Sequence, residues 1–332
     1  MSEQYDTIDF PHFTLKFHLS ALEDTRGIGR VAREMQSSLR SISSFGCRIS
    51  ASVPVLYFFP SIHWCPTNLP ERSVVMIHDT IPLSMRHFFH QHQDEWMYDF
   101  ADIAIQAERI LTISQSARSE IIKYMLVDAA GVDVVYNGVS DLGGGACIER
   151  VHAPSMPYVA YLGAGDRHKN LDIVLSALAM NRSQDIGLAV IGSACEDVVD
   201  RALIWGLDPS LVFPLGYLSD EVAGAVLAKA VALVMPSFHE GFGLPPFEAA
   251  LMGVPSICSN RPAMNELLSE AAYFVDPFLA EDWLVAIRTL RDDRNLGRRL
   301  ANAAANRARE LTWERNAESL VGIFNQMAAR GA

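Results

Sequence analysis

Short, apolar, β-branched runs alternate with segments of helical period along the whole chain, and this alternation constrains the fold more than any other feature. Leu15–His18, Val74–Ile77, Ile110–Ile113 and Val132–Tyr136 read as strands in the first half, and Tyr158–Leu162, Leu188–Ile191, Val231–Met235 and Val254–Ile257 in the second. A strand that is apolar throughout is buried on both faces, which requires helices on both sides of its sheet. Alternation of this kind implies βαβ units and parallel sheets, so the expected fold class is α/β.

At 332 residues the chain suits two domains of about 150 residues each. Glycine and proline concentrate in Ser140–Ala146 and Ala153–Pro157, which places the boundary near residue 150 and gives domains 1–150 and 151–311. Thr312–Ala329 then carries Leu320, Val321, Ile323, Phe324 and Met327 near helical spacing, and 312–332 reads as a docking helix rather than a third domain. The formal charge of −12 argues against a general nucleic-acid binder, so local groups must meet any anionic ligand. Cys47, Cys65, Cys147, Cys195 and Cys258 are scattered with no CxxC pair, which suits a reduced compartment. Met1–Asp9 is polar and acidic, so no signal peptide is expected, and the longest apolar runs, such as Val53–Phe59, fall far short of the ~20 residues of a membrane-spanning helix. The expected localisation is cytoplasmic, with peripheral contact at the inner face of the cytoplasmic membrane left open.

Four strand ends carry chemistry. After Val231–Met235 comes His239-Glu-Gly-Phe-Gly-Leu-Pro-Pro-Phe-Glu248, in which Pro245 and Pro246 suit the first turn of a helix that Gly253 stops. Glu240 then lies just past the strand's carboxyl end and Glu248 early in the helix, so two carboxylates and several glycine N–H groups converge on a ligand rich in hydroxyls and phosphate. After Tyr158–Leu162, Gly163-Ala-Gly165-Asp-Arg167-His168-Lys169 leads into a helix, and a glycine turn with unpaired N–H groups and positive charge makes an anion site. In the first half, Arg26-Gly27-Ile28-Gly29-Arg30 precedes a helix, where Gly27 and Gly29 would let backbone approach a ligand. His78-Asp79 follows Val74–Ile77; the pair either orients sugar hydroxyls or supplies a packed histidine and a helix cap. Asn137-Gly138 reads as turn chemistry. His87, His90 and His92 lack a second ligand pair and read as a solvated segment, and no Asp-x-Asp occurs anywhere, so no metal is expected.

Glu240-Gly-Phe-Gly-Leu-Pro-Pro-Phe-Glu248 resembles the signature of two glutamates separated by seven residues found in the retaining glycosyltransferases of glycosyltransferase family 4 (glycosyl transferases group 1), which includes bacterial α-mannosyltransferases and glucosyltransferases. Gly27–Arg30, His78–Leu83, Thr112–Ser116, Tyr136–Val139 and Asp276-Pro277 are similar to further motifs of that group. The resemblance implies a GT-B fold: two Rossmann-like domains facing across a cleft, the donor held mainly by the second, the acceptor by the first, and a C-terminal helix crossing back. It also implies that Glu248 binds the ribose hydroxyls, and that Glu240 with the backbone of Gly241, Phe242, Gly243 and Leu244 holds the donor sugar. Lys169 would neutralise the diphosphate, Tyr217 and Leu218 would lie beside the base, and His78 would position the sugar. Many members carry Arg-Lys-Asn where this chain has His168-Lys169-Asn170, so the second phosphate cation is either Arg167, reaching by another route, or a partly protonated His168.

The implied reaction moves a hexose, with retention and an α-linkage, from a nucleotide sugar to a saccharide or lipid-linked saccharide in bacterial polysaccharide or glycoconjugate synthesis. The family leans towards GDP-mannose, with UDP-glucose and UDP-N-acetylglucosamine as runners-up, and the nucleotide sugar is a co-substrate, with no cofactor expected. Two other classes share the architecture. A nucleotide-sugar epimerase would need groups for proton abstraction and would consume donor without acceptor, and a non-catalytic nucleotide-sugar-binding protein would have no reason to retain Lys169, Glu240 and Glu248 together. A phosphorylase is disfavoured because no lysine suggests a pyridoxal phosphate site.

Overall fold

A computed structural model describes residues 4–24, 27–43, 53–88, 93–143 and 153–330. Arg26, Cys47, His90, His92, Cys147 and the boundary near residue 150 lie outside the described residues. The chain divides into two compact units, Met1–Gly138 with Leu311–Ala332, and Val139–Glu310. The sequence put the corresponding divisions near 150 and 312.

The first unit holds a six-stranded sheet whose spatial order follows the chain: β1 (Tyr5–Asp9), β2 (Thr14–His18), β3 (Val55–Phe59), β4 (Ser73–Met76), β5 (Arg109–Thr112) and β6 (Val132–Val134). β1 pairs antiparallel with β2, and the remaining pairs are parallel. Helix Trp313–Ala329 packs on helix Gly27–Ile42 within this unit and buries Leu320, Phe324 and Met327. The Phe324 ring lies 5.8 Å from Phe13 and 5.5 Å from Phe58. Entry into that helix explains Gly138: a Cβ there would lie 2.4 Å from the Trp313 nitrogen, so only glycine admits the chain so close. Beside it, Asn316 donates to the Tyr136 carbonyl at 2.8 Å, and Thr312 caps the helix by accepting from the Arg315 N–H.

In the second unit all six strands are parallel: β7 (Tyr158–Leu162), β8 (Gly187–Ile191), β9 (Val212–Gly216), β10 (Ala232–Met235), β11 (Ser256–Ser259) and β12 (Tyr273–Val275). Successive side chains of a strand point to opposite faces, and β7 shows what that does. Val159 and Tyr161 pack with Val174, Leu175, Trp283 and Ile287 of helices Leu171–Ala179 and Ala280–Asp292, whereas Tyr158 and Ala160 pack with Val226, Leu227 and Ala249 of helices Asp220–Leu227 and Leu244–Leu251. Each fully buried aliphatic side chain contributes about 1.5–3 kcal/mol, so a sheet covered on both faces is strongly stabilised. The strands read from the sequence are β2, β4, β5, β7, β8, β10 and β11, all inside their sheets, together with the edge strand β6. β1, with its acidic residues, and β9, with Pro214, escape the pattern because they lie at sheet edges, where such residues are tolerated; β12 is only three residues long, and the central β3 lies in the apolar run Val53–Phe59, which the sequence reading did not assign as a strand.

The spatial order in this second sheet is β12-β11-β10-β7-β8-β9. The chain builds outward from β7 through β8 and β9, then returns to the other side of β7 with β10, β11 and β12. Loops leaving the carboxyl ends of β7 and β10 therefore diverge from neighbouring strands, which opens a crevice at the point of reversal. The first sheet has no such reversal. No helix among the described residues is long and apolar enough to cross a membrane.

Candidate functional site

The point of reversal is where the second unit gathers charge. β7 is followed by Gly163 and the short 3-10 turn Arg167–Lys169, and β10 by Pro236, Ser237 and the loop to Gly243. Lys169 Nζ lies 2.8 and 2.9 Å from the two Glu240 oxygens, so the loops meet in a two-pronged ion pair. The Glu240 side chain is 9% exposed and that of Lys169 24%, which places the pair at the mouth of the crevice rather than on an open surface. Ser237 donates to Glu240 Oε1 at 2.5 Å.

Asn170 supports this arrangement from beneath. It takes the left-handed conformation at φ 56°, which asparagine tolerates better than most residues, and donates to the carbonyls of Pro236 at 3.1 Å and Pro277 at 2.9 Å. Three loops, after β7, β10 and β12, are thereby tied to one side chain. A backbone bond from the Phe238 N–H to the His168 carbonyl at 2.8 Å adds a second tie between the first two. Along the rim, Phe238 stacks on Phe278 at 5.0 Å, and the Arg261 guanidinium sits 5.3 Å from the Phe278 ring centre.

Helix Leu244–Leu251 begins where the sequence suggests, with Pro245 and Pro246 in its first turn. Gly243 turns the chain into it at φ 86°, a left-handed conformation that favours glycine, and a Cβ there would push on the flexible end of Met264 at 2.3 Å. Phe242 and Glu248 are buried, at 3% and 2% exposure. Tyr161 lies buried under the β7 turn, its hydroxyl donating to the Ala164 carbonyl at 2.6 Å. Burial and the nearby Glu240 and Asp166 charges push its phenol well above the ordinary range. The Cys258 thiol, deep in β11, is likewise pushed up by burial and by Glu240.

Among the residues singled out in sequence, Gly163, Lys169, Glu240, Gly241, Phe242, Gly243, Leu244 and Glu248 lie on the loops and the helix that follow β7 and β10. Arg167 is exposed, whereas His168 is 7% exposed. Tyr217, just after β9, is 74% exposed, and Leu218 packs partly into the core. Gly27, Gly29 and His78 belong to the first unit. A Cβ on Gly27 would meet nothing within 4 Å, whereas one on Gly29 would lie 1.8 Å from the Asp24 carbonyl, so Gly29 is required by packing inside the unit. His78 is buried with Nε2 2.8 Å from the Pro60 carbonyl, and Asp79 accepts from the Ile81 N–H at 3.0 Å. These are the packed-histidine and cap roles that the sequence left open beside sugar binding. Burial lowers the His78 pKa most, His63 adds a smaller lowering, and the Pro60 carbonyl and Asp79 oppose them.

Sequence reasoning missed Ser237, the ties made by Asn170, and Arg261 with its aromatic ladder. The only linear signal for Ser237 is a hydroxyl three residues before Glu240; for the others there is none, because their partners are distant in the chain. Among the described residues no three His, Cys, Asp or Glu side chains gather as a metal site.

Residues 149–307 match the family described as glycosyl transferases group 1. The chain is 28% identical over 263 residues to the O-antigen chain mannosyltransferase B of Escherichia coli, covering 74% of this chain and 68% of that protein. It is 25% identical over 281 residues to the serotype-specific mannosyltransferase WbdA of Escherichia coli, covering 78% of this chain and 34% of the relative, so it spans only about a third of that longer protein. Among solved structures, sucrose-phosphate synthase from Thermosynechococcus elongatus superposes with a TM-score of 0.69 at 20% identity, over 83% of this chain and 74% of that one. The two sheets share the GT-B fold of such enzymes, as expected from the sequence.

Proposed function

We propose, from the premise that residues 149–307 are a glycosyl transferases group 1 domain, that the chain transfers a hexose from a nucleotide sugar bound at the β7–β10 crevice. The single observation that carries this reading is the Lys169–Glu240 pair at the strand-order reversal, the place where an open parallel sheet binds its ligand. Lys169 and backbone N–H groups at the turns after β7 and before helix Leu244–Leu251 suit a diphosphate, and the carboxylates Glu240 and Glu248 suit sugar and ribose hydroxyls. Arg167, being exposed, is the better second phosphate cation than the buried His168.

In the reaction we infer, the bond between sugar C1 and the distal phosphate oxygen breaks, an acceptor oxygen bonds to C1, and the acceptor proton leaves on the diphosphate. The barrier lies in the charge that develops on the leaving group. Lys169 and preorganised N–H groups stabilise that charge; charged hydrogen bonds are worth about 1.5–3 kcal/mol each, so two or three suffice for a large acceleration without a metal. The new linkage is α, with retention, and the donor best supported is GDP-mannose, because the relatives named above are mannosyltransferases. The acceptor is a saccharide or lipid-linked saccharide of a bacterial surface polymer.

The test is a calorimetric and thermal-shift panel of GDP, UDP, GDP-mannose and UDP-sugars on wild type and Glu248→Ala, without added metal. Selective binding of one nucleotide class, lost in the variant, supports the site and identifies the donor; no binding by wild type removes the reading.

A further inference from the structure

The β7–β10 crevice contains a competitor for the diphosphate proposed to bind there. Both Glu240 oxygens lie within 2.9 Å of Lys169 Nζ, so the carboxylate occupies the ammonium face that a diphosphate would use. The carboxylate is also nearly enclosed, at 9% exposure, and an enclosed charge is costly to leave without partners. Oε1 has a second donor, the Ser237 hydroxyl at 2.5 Å, whose side chain is itself buried at 3%. Ser237 sits immediately after β10, on the loop tied down by Asn170 through Pro236, so its hydroxyl is held independently of Lys169.

Resting on the reading of the site given above, we propose that donor binding is an exchange in which Lys169 passes from Glu240 to the diphosphate, while Ser237 is a positioning residue that holds the released Glu240 carboxylate towards the sugar. Ser237 remains on Oε1, and Oε2, which loses its ammonium, is free to accept from a sugar hydroxyl. An intact nucleotide sugar supplies both replacements: phosphate for Lys169 and hydroxyls for Glu240. A spent nucleoside diphosphate supplies only the first and leaves Glu240 charged, enclosed and close to the phosphates. The same carboxylate therefore favours the intact donor over the spent nucleotide and helps to expel the product by recapturing Lys169.

The experiment is titration calorimetry of wild type, Glu240→Gln, Ser237→Ala and Ser237→Thr with GDP, UDP, GDP-mannose and UDP-glucose. Glu240→Gln should bind the nucleoside diphosphate about tenfold more tightly than wild type and lose the preference for the intact donor, because the neutral amide no longer claims Lys169. Ser237→Ala should bind the nucleoside diphosphate within about twofold of wild type but the nucleotide sugar roughly fivefold more weakly, and Ser237→Thr, which keeps the hydroxyl, should recover that loss. A Glu240→Gln protein that binds the diphosphate no more tightly than wild type overturns the exchange. A Ser237→Ala protein that weakens both ligands equally, or neither, overturns the positioning role. Absence of any nucleotide binding by wild type instead removes the underlying functional reading, so the two failures are separable.

Discussion

The two units carry similar sequence devices at their strand ends, a glycine turn before a helix and a histidine or lysine beside a carboxylate, and they put them to different uses. In the first unit the polar groups turn inward. His78 bonds the Pro60 carbonyl, Asp79 caps Ile81, Thr112 donates to the Ile77 carbonyl at 2.7 Å, and Gly29 yields to Asp24. In the second unit, Lys169 and Glu240 project from different loops and meet each other. The difference follows from strand order. A sheet built in chain order keeps its loops parallel to one another, whereas the reversal between β7 and β10 splays two loops apart and leaves their charged residues facing a common crevice. A motif at a strand end becomes a site when the topology gives it a second motif to face.

The largest test of that contrast is Lys169→Ala, which should lower nucleotide affinity and kcat/KM by about 100-fold, the loss of one to two charged hydrogen bonds. His78→Ala, in the unit where the imidazole is bound internally, should lower kcat/KM by roughly tenfold or less. Equal losses in the two variants would break the contrast. Next come the two crowded glycines. Gly29→Ala and Gly243→Ala should each cost about 1–3 kcal/mol of stability in denaturant titrations, the first because its methyl meets the Asp24 backbone and the second because alanine is strained at φ 86°. Only Gly243→Ala should also weaken nucleotide binding, because it alone shapes the turn between Glu240 and Glu248. Asn170→Ala should have a smaller effect, about 1–2 kcal/mol on stability with a severalfold loss of nucleotide affinity, as three loops lose a common tie.

The smallest expected effect is in pH. Burial lowers the pKa of both His18 and His78, which belong to the first unit. Above an ordinary histidine value of about 6.5, both are neutral whether the chain is folded or not, and their stability contribution is complete. As pH falls below that value the unfolded chain takes up protons that the folded unit refuses, so stability declines until the depressed folded values are passed. Urea titrations across this window should show the decline, and His18→Phe, which keeps the ring contacts with Tyr5 and Phe59, should flatten part of it.

Much of the fold was legible in the linear pattern, and for a local reason. A strand buried on both faces reads as a mostly apolar run with polar residues confined to its ends, so β4, β5, β7, β8, β10 and β11 identify themselves, and with them the α/β class. The helix carrying Glu248 was equally legible, because prolines in a first turn and a glycine beyond the last turn act on their own backbone. The edge strands β1 and β9 were not, since an open side tolerates the acidic residues of β1 and Pro214 of β9; the short β12 and the apolar, central β3 also went unassigned. Nor could the chain alone say that Gly29 answers to Asp24, that Gly138 answers to Trp313, or that Ser237 and Lys169 share one carboxylate. Residue types and turn positions are properties of neighbours along the chain, and the sequence determined those. Which strand ends lie side by side depends on the order in which strands enter a sheet, and only the tertiary structure decided that, through packing energies summed over helices and strands far apart in the chain.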